Sequence, residues 1–124
     1  MKQIEWSGKV YEVDLEQRIF IGEDDGTKYA VMYMPGYDNL IMIQIEGNEG
    51  PTWHWNGDVY KPTFSPSILS RLVVGKDQRV IRNHVFVRGG MIQFLDDCSH
   101  QLAGKTVELP RLKDWPEDLR LWSV

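Results

Sequence analysis

Turn-forming residues interrupt this chain so often that it cannot be built from long helices. Ser7-Gly8 separates Ile4–Trp6 from Lys9–Val13, a two-residue hairpin signal. Arg18–Ile21 ends at Gly22, and Glu23-Asp24-Asp25-Gly26 forms a polar turn. Pro35-Gly36-Tyr37-Asp38-Asn39 joins Lys28–Met34 to Leu40–Glu46, two segments rich in β-branched and aromatic residues. Thr52–Trp55 runs into Asn56-Gly57-Asp58, and Pro62 and Pro66 bracket Thr63-Phe64-Ser65. Ser67–Val74 is a further strand candidate, and Arg79–Arg88, Gly89-Gly90 and Met91–Leu95 form the clearest hairpin. One short helix fits, starting at Pro116-Glu117-Asp118 with Leu119, Leu121 and Trp122 on its apolar side. About eight short strands with frequent turns predict a mainly β fold, a small antiparallel β-sandwich or barrel with at most one short C-terminal helix.

A length of 124 residues with no repeat or linker predicts a single β domain over 1–124. A lone cysteine excludes an internal disulfide framework. The opening Met1-Lys2-Gln3-Ile4-Glu5-Trp6 lacks the apolar core of a secretory signal, and no run is long enough to span a membrane. A cytoplasmic location is therefore expected. The net charge of −4 disfavours non-specific nucleic-acid binding. Residues 71–90 depart from that balance, with Arg71, Lys76, Arg79, Arg82 and Arg88 against Asp77 alone. This stretch brackets His84. It reads first as a solvated strand face, and second as an anion contact through Arg79, Arg82 and Arg88.

All three histidines and the cysteine fall between His54 and His100. His54, His84, Cys98 and His100 make up a full tetrahedral ligand set for zinc. In an extended segment Cys98 and His100 point to the same side, so both can reach one ion. Trp53 and Trp55 flank His54 and would shield the site, while Asp96 or Asp97 could accept the free N–H of a ligating histidine. The hairpin register raises a difficulty. Pairing about Gly89-Gly90 sets Val87 opposite Ile92, Val85 opposite Phe94 and Ile81 opposite Cys98, an apolar face. His84 falls opposite Leu95, on the other face. A bulge, or a chain that leaves the ladder at Asp96-Asp97, would bring Cys98 and His84 together. The alternatives are a buried thiol with hydrogen-bonded histidines, and a nucleophilic Cys98 with His84, His54 or His100 as base and Asp96 or Asp97 orienting it. No nucleophile-elbow turn precedes Cys98.

Trp53-His54-Trp55-Asn56-Gly57, Pro62-Thr63-Phe64-Ser65-Pro66-Ser67, His84 and Phe94–Gly104 form a connected string. It resembles a family of small uncharacterised phage and prophage proteins with W-H-W-[DN]-G, P-T-F-x-P-S and D-C-x-H-x-L-A-G motifs. The resemblance covers about residues 51–110 and implies a metal-ligand set at His54, His84, Cys98 and His100, and a phage or prophage setting. Some members carry an ammonia monooxygenase label. This sequence lacks the membrane spans and copper-type histidine cluster that such an activity requires.

Three functions follow as expectations. The first is a zinc-binding accessory or anti-defence protein whose Cys1His3 site is structural and whose partner is a host or phage protein, engaged through its many Trp and Tyr residues. The second is a metal-dependent hydrolase acting on an anionic, nucleotide-like substrate, with Asp96, Asp97 or Asp58 as general base. The third is a metal-free β module that binds nucleic acid through the basic strand.

Overall fold

The computed structural model describes every residue except Asn48, Glu49, Ser123 and Val124. The fold is mainly β. Eleven strands form four antiparallel sheets, and no closed barrel is present among the described residues.

β1 (Lys2–Trp6) and β2 (Lys9–Val13) make a hairpin closed by Ser7 and Gly8, at φ of 50° and 77°. Both central residues are left-handed, the twist that a two-residue hairpin needs. β3 (Phe20–Asp24), β4 (Thr27–Met34) and β5 (Asn39–Glu46) form a meander. β3 lies later than the segment expected at Arg18–Ile21, for two reasons. Its turn tightens onto Asp25-Gly26, at φ of 50° and 80°. Arg18 is withdrawn from the ladder and buried, donating to the carbonyls of Leu109 (2.9 Å) and Tyr60 (2.6 Å) and to Glu108 (2.9 Å). A buried guanidinium is tolerated only when its donors are used in this way.

β6 (His54–Trp55) and β7 (Phe64–Ser65) pair as a two-residue ribbon. β8 (Ile68–Val74), β9 (Arg79–Arg88), β10 (Met91–Phe94) and β11 (Thr106–Glu108) form a four-stranded sheet in the order β11-β10-β9-β8. Val87 opposes Ile92 and Val85 opposes Phe94, the register expected from the sequence. The ladder ends at Phe94, so Cys98 does not oppose Ile81. Instead Asp96 and Asp97 sit in a turn closed by the Cys98 N–H on the Leu95 carbonyl, 3.1 Å. The expected C-terminal helix reduces to single 3-10 turns at Leu112–Asp114 and Glu117–Leu119.

β4 is buried on both sides, which organises the whole molecule. Ala30, Met32 and Met34 join Ile43, Ile68, Val85, Val87, Ile92 and Phe94 in a core between the meander and the four-stranded sheet. Val31 and Tyr33 face the other way, into a second core with Ile4, Val13, Phe20, Leu112 and Trp115. The alternation of a strand produces this division directly. On β9 the same alternation sends Asn83, Val85 and Val87 inward and leaves Arg82, His84, Phe86 and Arg88 on the outer face. The four-stranded sheet thus has one dry face and one wet face, and His84 is on the wet one.

Candidate active site

His84 sits mid-strand on β9, and both of its ring nitrogens are engaged. Nδ1 lies 3.0 and 3.1 Å from the two carboxylate oxygens of Asp97. Nε2 lies 3.1 Å from the hydroxyl of Ser67. A carboxylate can only accept, so Nδ1 carries the proton and Nε2 presents its lone pair to the Ser67 O–H. A hydroxyl, an imidazole and a carboxylate linked in this order form a nucleophile, a base and an orienting acid.

Each member is placed by a different local device. Ser67 directly precedes β8, whose Leu69 pairs with His84, so Ser67 and His84 are diagonal neighbours on the same outer face. The Trp53 indole N–H donates to the Ser67 carbonyl at 3.2 Å and fixes the main chain there. Asp97 comes from the turn after β10. Cys98, the next residue, is buried and grips the main chain of His84: its thiol accepts the His84 N–H (3.2 Å) and donates to the His84 carbonyl (3.3 Å). The thiol therefore continues the ladder past the point where β10 stops. Arg82 lies 3.7 Å from Asp97 on the same face, and Asp97 is 45 % exposed.

The four residues expected to bind zinc do not converge. His84 spends its ring on Ser67 and Asp97, and Cys98 spends its sulfur on the His84 main chain. His100 turns inward: its Nε2–H donates to Asn83 Oδ1 at 2.8 Å, its Nδ1 accepts the Leu102 N–H at 3.2 Å, and its ring meets Phe94 edge-on. Burial holds the His100 imidazole below its ordinary pKa, opposed by the Asp38 carboxylate. His54 is exposed on β6, opposite Ser65. It lines a recess of about 290 Å3 with Trp53, Trp55, Ile21, Ile45, Lys28 and Glu46. Among the described residues no group of three or more His, Cys, Asp or Glu could hold a metal ion.

Of the other residues singled out in the sequence, Trp53 and Asp97 belong to the site. Asp97 does accept the free N–H of a histidine, but that histidine faces a serine and not a metal. Trp55 donates to the Asp58 carbonyl (3.2 Å) and Asp58 caps the Tyr60 and Lys61 amides, so neither reaches the triad. Asp96 lies beside Gly104 in the turn. Arg88 stacks over Phe86 at 4.1 Å, and Arg79 borders a separate recess with Gly36 and His100. Sequence reasoning gave Ser67 no role. Its signal was its place between Pro66 and the strand that pairs with His84, which becomes legible only when β8 and β9 are aligned.

Residues 6–95 match the family model described as bacterial ubiquitination-like system serine protease (BubE). The chain belongs to this family. The matched span holds Ser67 and His84, and ends two residues before Asp97. No curated protein and no solved structure matches the chain. The family overturns the expectation of a zinc-binding accessory or anti-defence protein with a structural Cys1His3 site. The two alternatives, a metal-dependent hydrolase and a metal-free nucleic-acid module, fall with it. The four ligand-type residues were read from their types and proximity in sequence, whereas their ring and sulfur atoms are already committed to other partners. No helix among the described residues is long and apolar enough to cross a membrane.

Proposed function

We propose that this chain is a serine protease that hydrolyses an amide bond in a polypeptide of a bacterial ubiquitination-like system. The observation that carries the reading is the continuous hydrogen-bonded path from Ser67 through His84 to Asp97. The Ser67 hydroxyl attacks the scissile carbonyl while His84 Nε2 takes its proton. Asp97 holds Nδ1–H and stabilises the imidazolium that forms. The imidazolium then passes its proton to the leaving amine, and the C–N bond breaks. Water, deprotonated by His84 in turn, attacks the acyl carbonyl, the bond to Ser67 Oγ breaks, and His84 returns the proton to Oγ. The Ser67 main-chain N–H has no hydrogen-bond partner among the described residues. It is the candidate first donor to the oxyanion.

The chain order Ser67, His84, Asp97 supports a triad defined by geometry and not by a motif. Familiar triads run in other orders, and this nucleophile precedes a strand instead of sitting on a strand-to-helix elbow. The test is reaction with a fluorophosphonate, followed by mapping of the adduct. Labelling at Ser67, abolished in Ser67→Ala and in His84→Ala, is expected. Labelling at a different serine, or cleavage that persists in Ser67→Ala, would refute the assignment.

A further inference from the structure

The outer edge of β8 is an unpaired strand edge that begins at the nucleophile. Its phase follows from hydrogen bonds on the far side of β9. The His84 N–H goes to Cys98 Sγ and its carbonyl accepts the Leu95 N–H at 2.9 Å. The Arg82 N–H goes to Ser99 Oγ at 2.7 Å and its carbonyl accepts the Ser99 N–H at 3.0 Å. Both residues direct their main-chain groups away from β8. Opposed residues in an antiparallel pair exchange both bonds or neither. Leu69 opposes His84 and Arg71 opposes Arg82, so Leu69 and Arg71 bond neither way to β9. Their N–H and C=O groups point outward, as do those of Val73, in the same phase. Among the described residues none of these groups has a partner. Ser67 is in phase as well, and the Trp53 indole meets its carbonyl from this side.

The side chains along this edge share the face that carries the triad. Leu69 is 46 % exposed, Val73 is 60 % exposed, and Arg71 lies between them. Proteins normally blunt such an edge with proline, lysine or a covering segment. This one has only Arg71. Arg71 faces Arg82, whose charge is already met by Asp97, and has no acidic partner among the described residues.

We propose that the outer edge of β8 binds the substrate, as an added β-strand whose backbone runs past Ser67 and which carries an acidic side chain opposite Arg71. A strand added there lies about 4.8 Å from β8. It satisfies the outward groups of Leu69 and Arg71, and its alternate side chains meet Leu69, Arg71 and Val73 in turn. Main-chain pairing supplies affinity, and the Arg71 position supplies selectivity. The proposal rests on the protease reading of Ser67.

Proline at position 69 deletes one outward N–H and leaves the β9 ladder intact. The measurement is cleavage of pooled short extended peptides, together with fluorophosphonate labelling of Ser67, which requires no added strand. Leu69→Pro is expected to lower kcat/KM for the best peptide about tenfold, the worth of one backbone hydrogen bond, with labelling within about threefold of the parent. N-methylation of alternate residues in that peptide should reproduce the loss on the unaltered protein. Arg71→Glu should shift the preferred residue from acidic to basic. Cleavage indifferent to both Leu69→Pro and N-methylation would overturn the proposal. So would a concentration-dependent dimer lost in Leu69→Pro, which would assign the edge to a second copy of this chain. Failure of the parent to label at Ser67 would instead overturn the protease reading, and this proposal with it.

Discussion

Replacing Asp97 isolates what the carboxylate contributes. In the transition state an imidazolium forms with Nδ1 3.0 Å from Asp97 Oδ2. Opposite charges about 4 Å apart attract by about 1 kcal/mol in bulk water and about 4 kcal/mol near a protein surface. His84 is 26 % exposed and Asp97 45 %, which places the pair between those limits. Arg82, 3.7 Å from the same carboxylate, draws off part of its field. A contribution of about 2–3 kcal/mol follows, so Asp97→Ala should lower kcat/KM by about 30- to 150-fold. Asp97→Asn should be worse. An amide can turn its NH2 toward Nδ1, which then becomes the acceptor and leaves the proton on Nε2, where the base must be free. In triad enzymes this tautomer error brings the loss toward about 10,000-fold. The assay is kcat/KM for peptide cleavage in the two variants, with the fluorophosphonate rate as a second readout. If Asp97→Asn stayed within threefold of the parent while Ser67→Ala was inactive, Asp97 would not be the orienting acid. If Asn and Ala were equal, the tautomer argument would be wrong.

Other outcomes follow from the same neighbourhood. Cys98→Ala leaves the His84 N–H without its sulfur acceptor, so stability should fall by about 1–3 kcal/mol in a denaturant titration, and cleavage should fall with it. Cys98→Ser keeps a donor and an acceptor, and should retain most of both. An inactive but fully stable Cys98→Ser would instead make the thiol the reacting group. The His100 imidazole is held below its ordinary value of 6.5, chiefly by burial. The folded state therefore binds fewer protons than the unfolded chain just below that pH. Stability should be full above 6.5 and decline as pH falls through the window beneath it. Melting temperature against pH, compared with His100→Gln, checks the sign. A parent that grew more stable on acidification through that window would refute it.

The sequence revealed the hairpins because each is closed by residues that tolerate left-handed backbone. Ser7-Gly8 and Gly89-Gly90 set the register of their strands, and the apolar alternation of Val85, Val87, Ile92 and Phe94 agrees with it. β6 falls at the end of the expected segment Thr52–Trp55, whereas β7 is not separable from loop, since two residues carry no period. β11, three residues long, is equally illegible, because its exposure pattern rests on Val107 alone. The site was half legible. Register already placed His84 on the face opposite Cys98, a conflict with any shared metal. Its correct resolution is that Cys98 meets the main chain of His84 and never its ring. The sequence offers Asp96 or Asp97 as the acceptor of a histidine N–H without choosing between them, and it is Asp97 that lies against His84 Nδ1. Ser67 could not be recognised alone, because a serine hydroxyl becomes a nucleophile only through its base, and that base is seventeen residues away on β9.

The division of labour on β9 explains how so small a fold can hold a reactive constellation. Val85 and Val87, on either side of Phe86, are anchored in the core, and Asn83 and Val85 flank His84 inside it. The base is thereby fixed by packing beneath it, while the Cys98 thiol locks its main chain from the far edge. The nucleophile is held from the opposite edge by Trp53. Asp97, however, is nearly half exposed to water, and electrostatic stabilisation in such a site is weakened until water is removed. A polypeptide laid along β8 would cover Leu69 and the face around His84, and so would lower the dielectric at the ion pair as it binds. If substrate binds along β8, catalytic strength depends on the covering chain. A small ester that reaches Ser67 without lying on the strand leaves Asp97 solvated, and gains less from the same three residues.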